Sequence, residues 1–130
     1  MTAAISVLAP PLALAVPASV LPGPQALQDF QRAWETAAGK LRRLVEQHTD
    51  RFPLYTQNGR WITEGEAWTN WCEGFLGGQL WLLSQRFGDW YGDRAAHYSQ
   101  LIEHRKLDAS VHDLGFLFWP TWRRWYELTG

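Results

Sequence analysis

The sequence predicts an all-α fold built from helical hairpins in two layers. Three observations predict it. Apolar residues recur at helical spacing in four long segments, separated by Pro, Gly or Asn-Gly breaks. Those segments alternate in kind: the first and third carry one apolar face, whereas the second and fourth carry apolar side chains in every direction. A hydrophobic content of 46% in 130 residues is enough to build the core of one small domain.

Residues 1–24, MTAAISVLAPPLALAVPASVLPGP, are apolar but interrupted by five prolines, and no run reaches the ~18 residues a bilayer-spanning helix needs. The first basic residue is Arg32, so the basic start of a secretory signal is missing, although small residues from Ala15 to Ser19 resemble a cleavage site. The expectation is a flexible extended leader on a cytoplasmic protein, with export as the alternative. The helical domain is expected over 25–130.

Pro24 suits the first turn of a helix over about 25–48. Leu27, Phe30, Trp34, Leu41 and Val45 form its apolar stripe, and Asp29, Arg32, Glu35, Arg42, Arg43 and Glu46 its wet side. Pro53 and Asn58-Gly59 mark a loop or short turn. The second helix, about 66–86, has no charge between Gly74 and Ser84, so other elements should enclose it. Gly74, Gly77 and Gly78 each cost such a helix up to ~1 kcal/mol, which implies that a neighbouring backbone or a ligand comes very close. Gly88 ends it.

In the third segment, Asp89 to Leu107, Tyr91, Ala95, Tyr98, Leu101 and Ile102 form a stripe while Asp93, Arg94, His97, Gln100 and His104 face away. The fourth, about 113–128, carries Leu114, Phe116, Phe118, Trp119, Trp122, Trp125 and Tyr126 all round, with a kink expected at Pro120. One-faced and enclosed helices in alternation are what two concentric layers require. Four helices cannot enclose two of their own number, so large aromatic faces should remain uncovered.

Charge and cysteine content narrow the function. With 12 basic and 13 acidic residues the chain has no general attraction to nucleic acid or an anionic membrane. Cys72 is the single cysteine, which rules out an intrachain disulfide and a thiolate zinc cluster and suits a small buried residue. His97 and His104 lack the carboxylate pattern of a metal site, so neither a metal nor a cofactor is expected. Nine tryptophans cluster toward 61–125; most should pack the core, although flat indoles also hold sugar rings through their C–H faces.

The chemical question centres on VHDLGFLFWP, 111–120, where His112 and Asp113 stand beside apolar side chains. Ser110 to Asp113 fits the S-x-x-D form of a helix start, with Ser110 as cap and the Asp113 carboxylate at the positive end of the helix dipole. Taken alone, capping accounts for both residues.

Taken with the second helix, another reading opens. WCEGFLGGQLWL, 71–82, followed by HDLGFLF, 112–118, resembles the amino-terminal part of glycoside hydrolase family 88, the unsaturated glucuronyl hydrolases. The resemblance covers about 50–130, including Arg51-Phe52-Pro53 and the closing LTG. It implies an (α/α)6 barrel of six helical hairpins, of which this chain would hold about the first four helices. Trp71 matches the family's tryptophan against the bound sugar, Asp113 its active-site aspartate, and His112 that residue's neighbour. Leu76 stands where a second Trp is common, and Trp119-Pro120 replaces a smaller polar residue; both departures bear on substrate range.

The implied substrate is an unsaturated uronic-acid oligosaccharide left by a polysaccharide lyase. Water adds across the C4=C5 double bond of the terminal sugar, which then opens and releases its partner, unlike hydrolysis by two carboxyls flanking the glycosidic bond. The reaction needs an acid of raised pKa, which the resemblance puts on a later inner helix beyond Gly130. The expectation is therefore a substrate-binding part with negligible turnover alone. The alternative is a non-catalytic helical module that self-associates through its aromatic faces; a related hydrolase of unsaturated rhamnogalacturonan fragments ranks lower.

Overall fold

The computed structural model describes residues 21–130, apart from 66 and the side chains of 67–69. Most of the expected leader, 1–20, lies outside the described residues.

Helix α1 spans Pro24–Gln47 and starts with Pro24 in its first turn, where a missing N–H costs nothing. Val45 and Ala38 are buried on its stripe and Trp34 and Leu41 half-buried, but Leu27 and Phe30 stay exposed. The reason is length: 24 residues reach ~36 Å, while the 15 residues of the helix beside it reach ~22 Å, so the first turns overhang. A hairpin follows, β1 (Tyr55–Gln57) and β2 (Arg60–Ile62), with Tyr55 paired to Ile62 and Gln57 to Arg60. Asn58 and Gly59 both have positive φ, 49° and 73°, the left-handed pair a two-residue hairpin turn demands.

The second expected helix divides in two. Ala67–Cys72 is a 3-10 stretch, and α2 proper spans Glu73–Phe87. A single residue, Gly88 at φ 90°, separates it from α3, Asp89–Leu101. The pair folds back on itself: Trp81 Nε1 donates to Ser99 Oγ at 3.0 Å, and Gly92 lies against Ser84. The α3 stripe is as expected, with Tyr91, Ala95, Tyr98 and Ile102 buried. The chain then leaves the α-helix at Ile102 for a 3-10 turn, Glu103–Leu107. The last segment runs as α4 (Gly115–Phe118), a π-helical stretch (Trp119–Arg123) and α5 (Arg124–Thr129). The wide turn falls at Pro120, which has no N–H to give to the α-helical ladder.

The glycines of α2 meet the last helical segment, Gly74 against its backbone and Gly77 and Gly78 first against side chains. A Cβ on Gly78 would stand 2.5 Å from Pro120 Cβ, and one on Gly77 2.8 Å from Thr121 Cγ2. Gly74 faces Leu117, Gly78 faces Pro120, and Gln85 accepts from Arg124 Nη2 at 3.2 Å, so α2 and the last helix run parallel. On the other side, Tyr91 donates to the Ala38 carbonyl and Tyr98 to that of His48, each at 3.0 Å, so α1 and α3 run parallel to each other. Arg86 meets Trp34 and Gln31, at the opposite end of α2 from the α1 residue Leu44 that faces Leu76. Helices of one layer are thus parallel and the two layers antiparallel. The core lies between them, around Leu76, Leu80, Trp81, Leu83, Tyr91, Ala95 and Tyr98. The far face of the second layer is open: Phe75, Leu82, Phe116, Trp119 and Tyr126 are all exposed. Among the described residues no helix is long and apolar enough to cross a membrane.

Candidate functional site

Asp113 sits just ahead of α4 with φ 63°, a left-handed conformation that Asp tolerates better than most side chains. Its carbonyl accepts the Phe116 N–H at 2.9 Å, and Leu114 accepts those of Leu117 and Phe118. The helix therefore starts on backbone bonds alone, and the S-x-x-D capping expectation is corrected. Ser110 is engaged elsewhere: its N–H and its hydroxyl both donate to Asp108 Oδ1, at 2.8 and 2.5 Å. The Asp113 carboxylate lies 2.7 Å from His112 Nδ1. Both side chains reach solvent, Asp113 at 52% and His112 at 72% exposure.

Asp113 lies on the rim of an open depression of about 490 Å³ whose other walls are Phe75, Gly115, Phe116, Trp119 and Pro120. Its volume is within the range of small-ligand sites, and its walls are mainly aromatic. The Gly-Phe pairs of the two enclosed segments build it together: Gly74 lets the helices touch, and Phe75 and Phe116 project from the contact with centroids 5.8 Å apart. Trp71 does not line the depression. It supports the walls from behind, edge-on to Phe75 at 5.7 Å and tilted on Phe116 at 5.5 Å. The structure thus brings Asp113 and His112 into contact and links Trp71 to them through Phe116. Phe75, Phe116 and Trp119 were not among the expected site residues. The signal was present in the Gly-Phe shared by both motifs, but nothing local says which way those rings point.

Two smaller depressions adjoin through Phe75. One, about 400 Å³, continues along the second layer past Gln79 and Leu82 to Arg124 and Glu127. The other, about 330 Å³, opens toward the hairpin between Trp61, Leu54, Cys72 and Gln79. Cys72 is half-buried there, and burial pushes its thiol up, which keeps it protonated and unreactive.

Behind the site runs a charged group that the sequence did not single out. Arg105, 8% exposed, donates through Nη1 to Glu73 and through Nε to Asp108 Oδ2 at 2.9 Å. Ser110 and Arg105 hold the Asp108 carboxyl down to about 2. Burial pushes the Glu73 carboxyl up, against the pull of Arg105. Neither carboxylate lines the aromatic depression.

The histidines of α3 and the turn after it are occupied singly. His97 Nε2 meets Asp50, and His104 Nδ1 lies 3.0 Å from the Leu101 carbonyl. Among the described residues no three His, Cys, Asp or Glu side chains gather as metal ligands would. Chemically, the arrangement offers an acceptor–donor pair on the rim of an aromatic wall. Hydroxyl groups can bond to such a pair while the C–H face of a ring lies on the aromatics. The chain matches no family model, no curated protein and no solved structure.

Proposed function

We propose that this chain forms the sugar-binding wall of a glycoside hydrolase resembling the unsaturated glucuronyl hydrolases, in an (α/α)6 barrel, and that it takes the terminal unsaturated uronic acid of lyase-generated oligosaccharides. The observation that carries the proposal is the Asp113–His112 pair standing at the rim of the Phe75–Phe116–Trp119 depression. The layer geometry supports it, since parallel inner helices antiparallel to an outer set are the repeating unit of a hairpin barrel. Asp113 holds substrate hydroxyls, and Trp71 stiffens the aromatic wall. Among the described residues no second carboxyl lines the depression, so the protonation of the alkene carbon has no acid here.

The test mixes the protein with an unsaturated uronyl disaccharide and follows both tryptophan fluorescence and the alkene's ultraviolet absorbance. Saturable fluorescence change without loss of absorbance is expected, and Asp113→Asn should weaken the binding by about tenfold, the worth of a hydrogen bond to a charged group. No saturable change with the wild-type chain would refute the reading.

A second reading has its own observation. Trp119 is 70% exposed beside the exposed Phe116, Phe75 and Leu82, a contiguous apolar face of the kind that marks an interaction surface. On that reading the chain is a non-catalytic helical module that self-associates. A discrete dimer by light scattering, with no disaccharide binding, would favour it.

A further inference from the structure

We infer that Arg105 is a positioning residue whose buried guanidinium sets the spacing between the two segments that carry the proposed sugar site. The inference rests on the sugar-binding reading above for its purpose, and on geometry for its substance.

Trp71 and Asp113 are 42 positions apart in the chain. Their segments touch at Gly74 and Leu117, and neither Trp71 nor Asp113 is itself part of that contact. Arg105 reaches both segments. On one side its Nη1 donates to the carboxylate of Glu73, the first residue of α2, and to the Asn70 carbonyl at 3.4 Å, so it holds the chain on either side of Trp71, by a side chain after it and by backbone before it. On the other side its Nε donates to Asp108 Oδ2 at 2.9 Å, while the second oxygen of that carboxylate receives the Ser110 N–H and hydroxyl. The chain from Asp108 to Asp113 has no helix or strand of its own. Val111 anchors it by burial; its polar tether is Asp108, and the side chain that holds Asp108 is Arg105.

A planar guanidinium presents its donors in a fixed fork, so it can bond two carboxylates at a set separation. An ammonium is a point charge and fixes no such separation. The pairing is also protected from water, since the Arg105 side chain is 8% exposed, Glu73 19% and Asp108 20%. A pair shielded in this way is screened little by salt. A group whose purpose was stability alone could be replaced by apolar residues of similar size. Here the bonds end on the start of α2 and on the loop that carries Asp113.

The experiment uses the full chain with Asp108→Asn, which keeps the Arg105–Glu73 pair and removes the charge that ties the loop. Arg105→Lys is the second variant. Two readouts are taken: affinity for the unsaturated uronyl disaccharide, and amide hydrogen exchange. The expected result is about tenfold weaker binding in both variants. Exchange should quicken at 110–116 in Asp108→Asn while the amides of Leu80 and Tyr98 in the core stay protected.

Wild-type affinity in Asp108→Asn together with unchanged exchange at 110–116 would overturn the inference. So would a loss of protection spread evenly over the core, which would mark the group as merely structural. If the wild-type chain binds no disaccharide, the sugar-binding reading fails by itself. The exchange comparison then still decides whether Arg105 positions the loop.

Discussion

Gly74 lies flush against the backbone of Leu117: a Cβ on Gly74 would stand 2.6 Å from the Leu117 Cα. That approach joins the two helices of the second layer and projects Phe75 and Phe116 to the same side. Because the atoms opposed are backbone, they cannot swing away as a flexible side chain would. Gly74→Ala should therefore destabilise the protein by about 3 kcal/mol, the upper range for overpacking. Gly39→Ala is the contrast: on α1 the new methyl meets only the end of Arg43 at 3.6 Å, and removing a helical glycine should stabilise by about 0.5–1 kcal/mol. Urea unfolding of both variants checks the pair of signs.

Ser99 serves two tryptophans. Its hydroxyl accepts from Trp81 Nε1 at 3.0 Å and donates to the Ala95 carbonyl at 2.7 Å, and its carbonyl accepts from Trp122 Nε1 at 2.8 Å. Ser99→Ala leaves the buried Trp81 N–H without a partner, at a cost of about 1–3 kcal/mol. Thermal melts should show the loss, and Ser99→Thr should not match the wild type, because Ser99 is fully buried and an added methyl overpacks its surroundings.

The backbone at Asp113 separates conformation from chemistry. With φ at 63°, Asp113→Ala should cost about 1 kcal/mol from left-handed strain, whereas Asp113→Gly should be neutral or stabilising and Asp113→Asn should fold as the wild type. All three should lose disaccharide affinity if the carboxylate is what the sugar meets. Denaturant midpoints and fluorescence titrations of the same three proteins distinguish the two effects.

Acid stability should report the Arg105 group. The folded Asp108 carboxyl is held at about 2, below the ordinary aspartate value of ~3.9. It therefore contributes stability that is present above ~3.9 and lost as pH falls toward about 2. Glu73 has the opposite sign: burial raises its folded value, so its charged form costs stability once pH rises through that value. Melting temperatures of wild type and Asp108→Asn, measured across the Asp108 window, should converge as the solution becomes more acidic.

Trp119, 70% exposed on the open face, has Arg123 over its ring at 5.5 Å. Trp119→Ser should change stability by no more than about 0.5 kcal/mol, as at other surface positions. It should also lower the concentration-dependent mass seen by light scattering, since it removes the largest apolar side chain of the patch.

The helical character of this chain, its breaks at Asn58-Gly59 and Gly88, and the division into segments with one apolar face and segments apolar all round follow from the order of residues alone. Periodicity and turn chemistry are local properties, and local properties can be read along a chain. The α2 glycines likewise signalled a close approach, although not what approached. Tertiary structure decided the rest. Phe75 and Phe116 became walls of one depression only because Gly74 met Leu117. Ser110 gave up its helix cap because Asp108, held by Arg105, competed for it. Which bond a polar side chain makes, and which side of an all-round apolar helix is covered, depend on residues distant in sequence, and no window of neighbouring residues contains them.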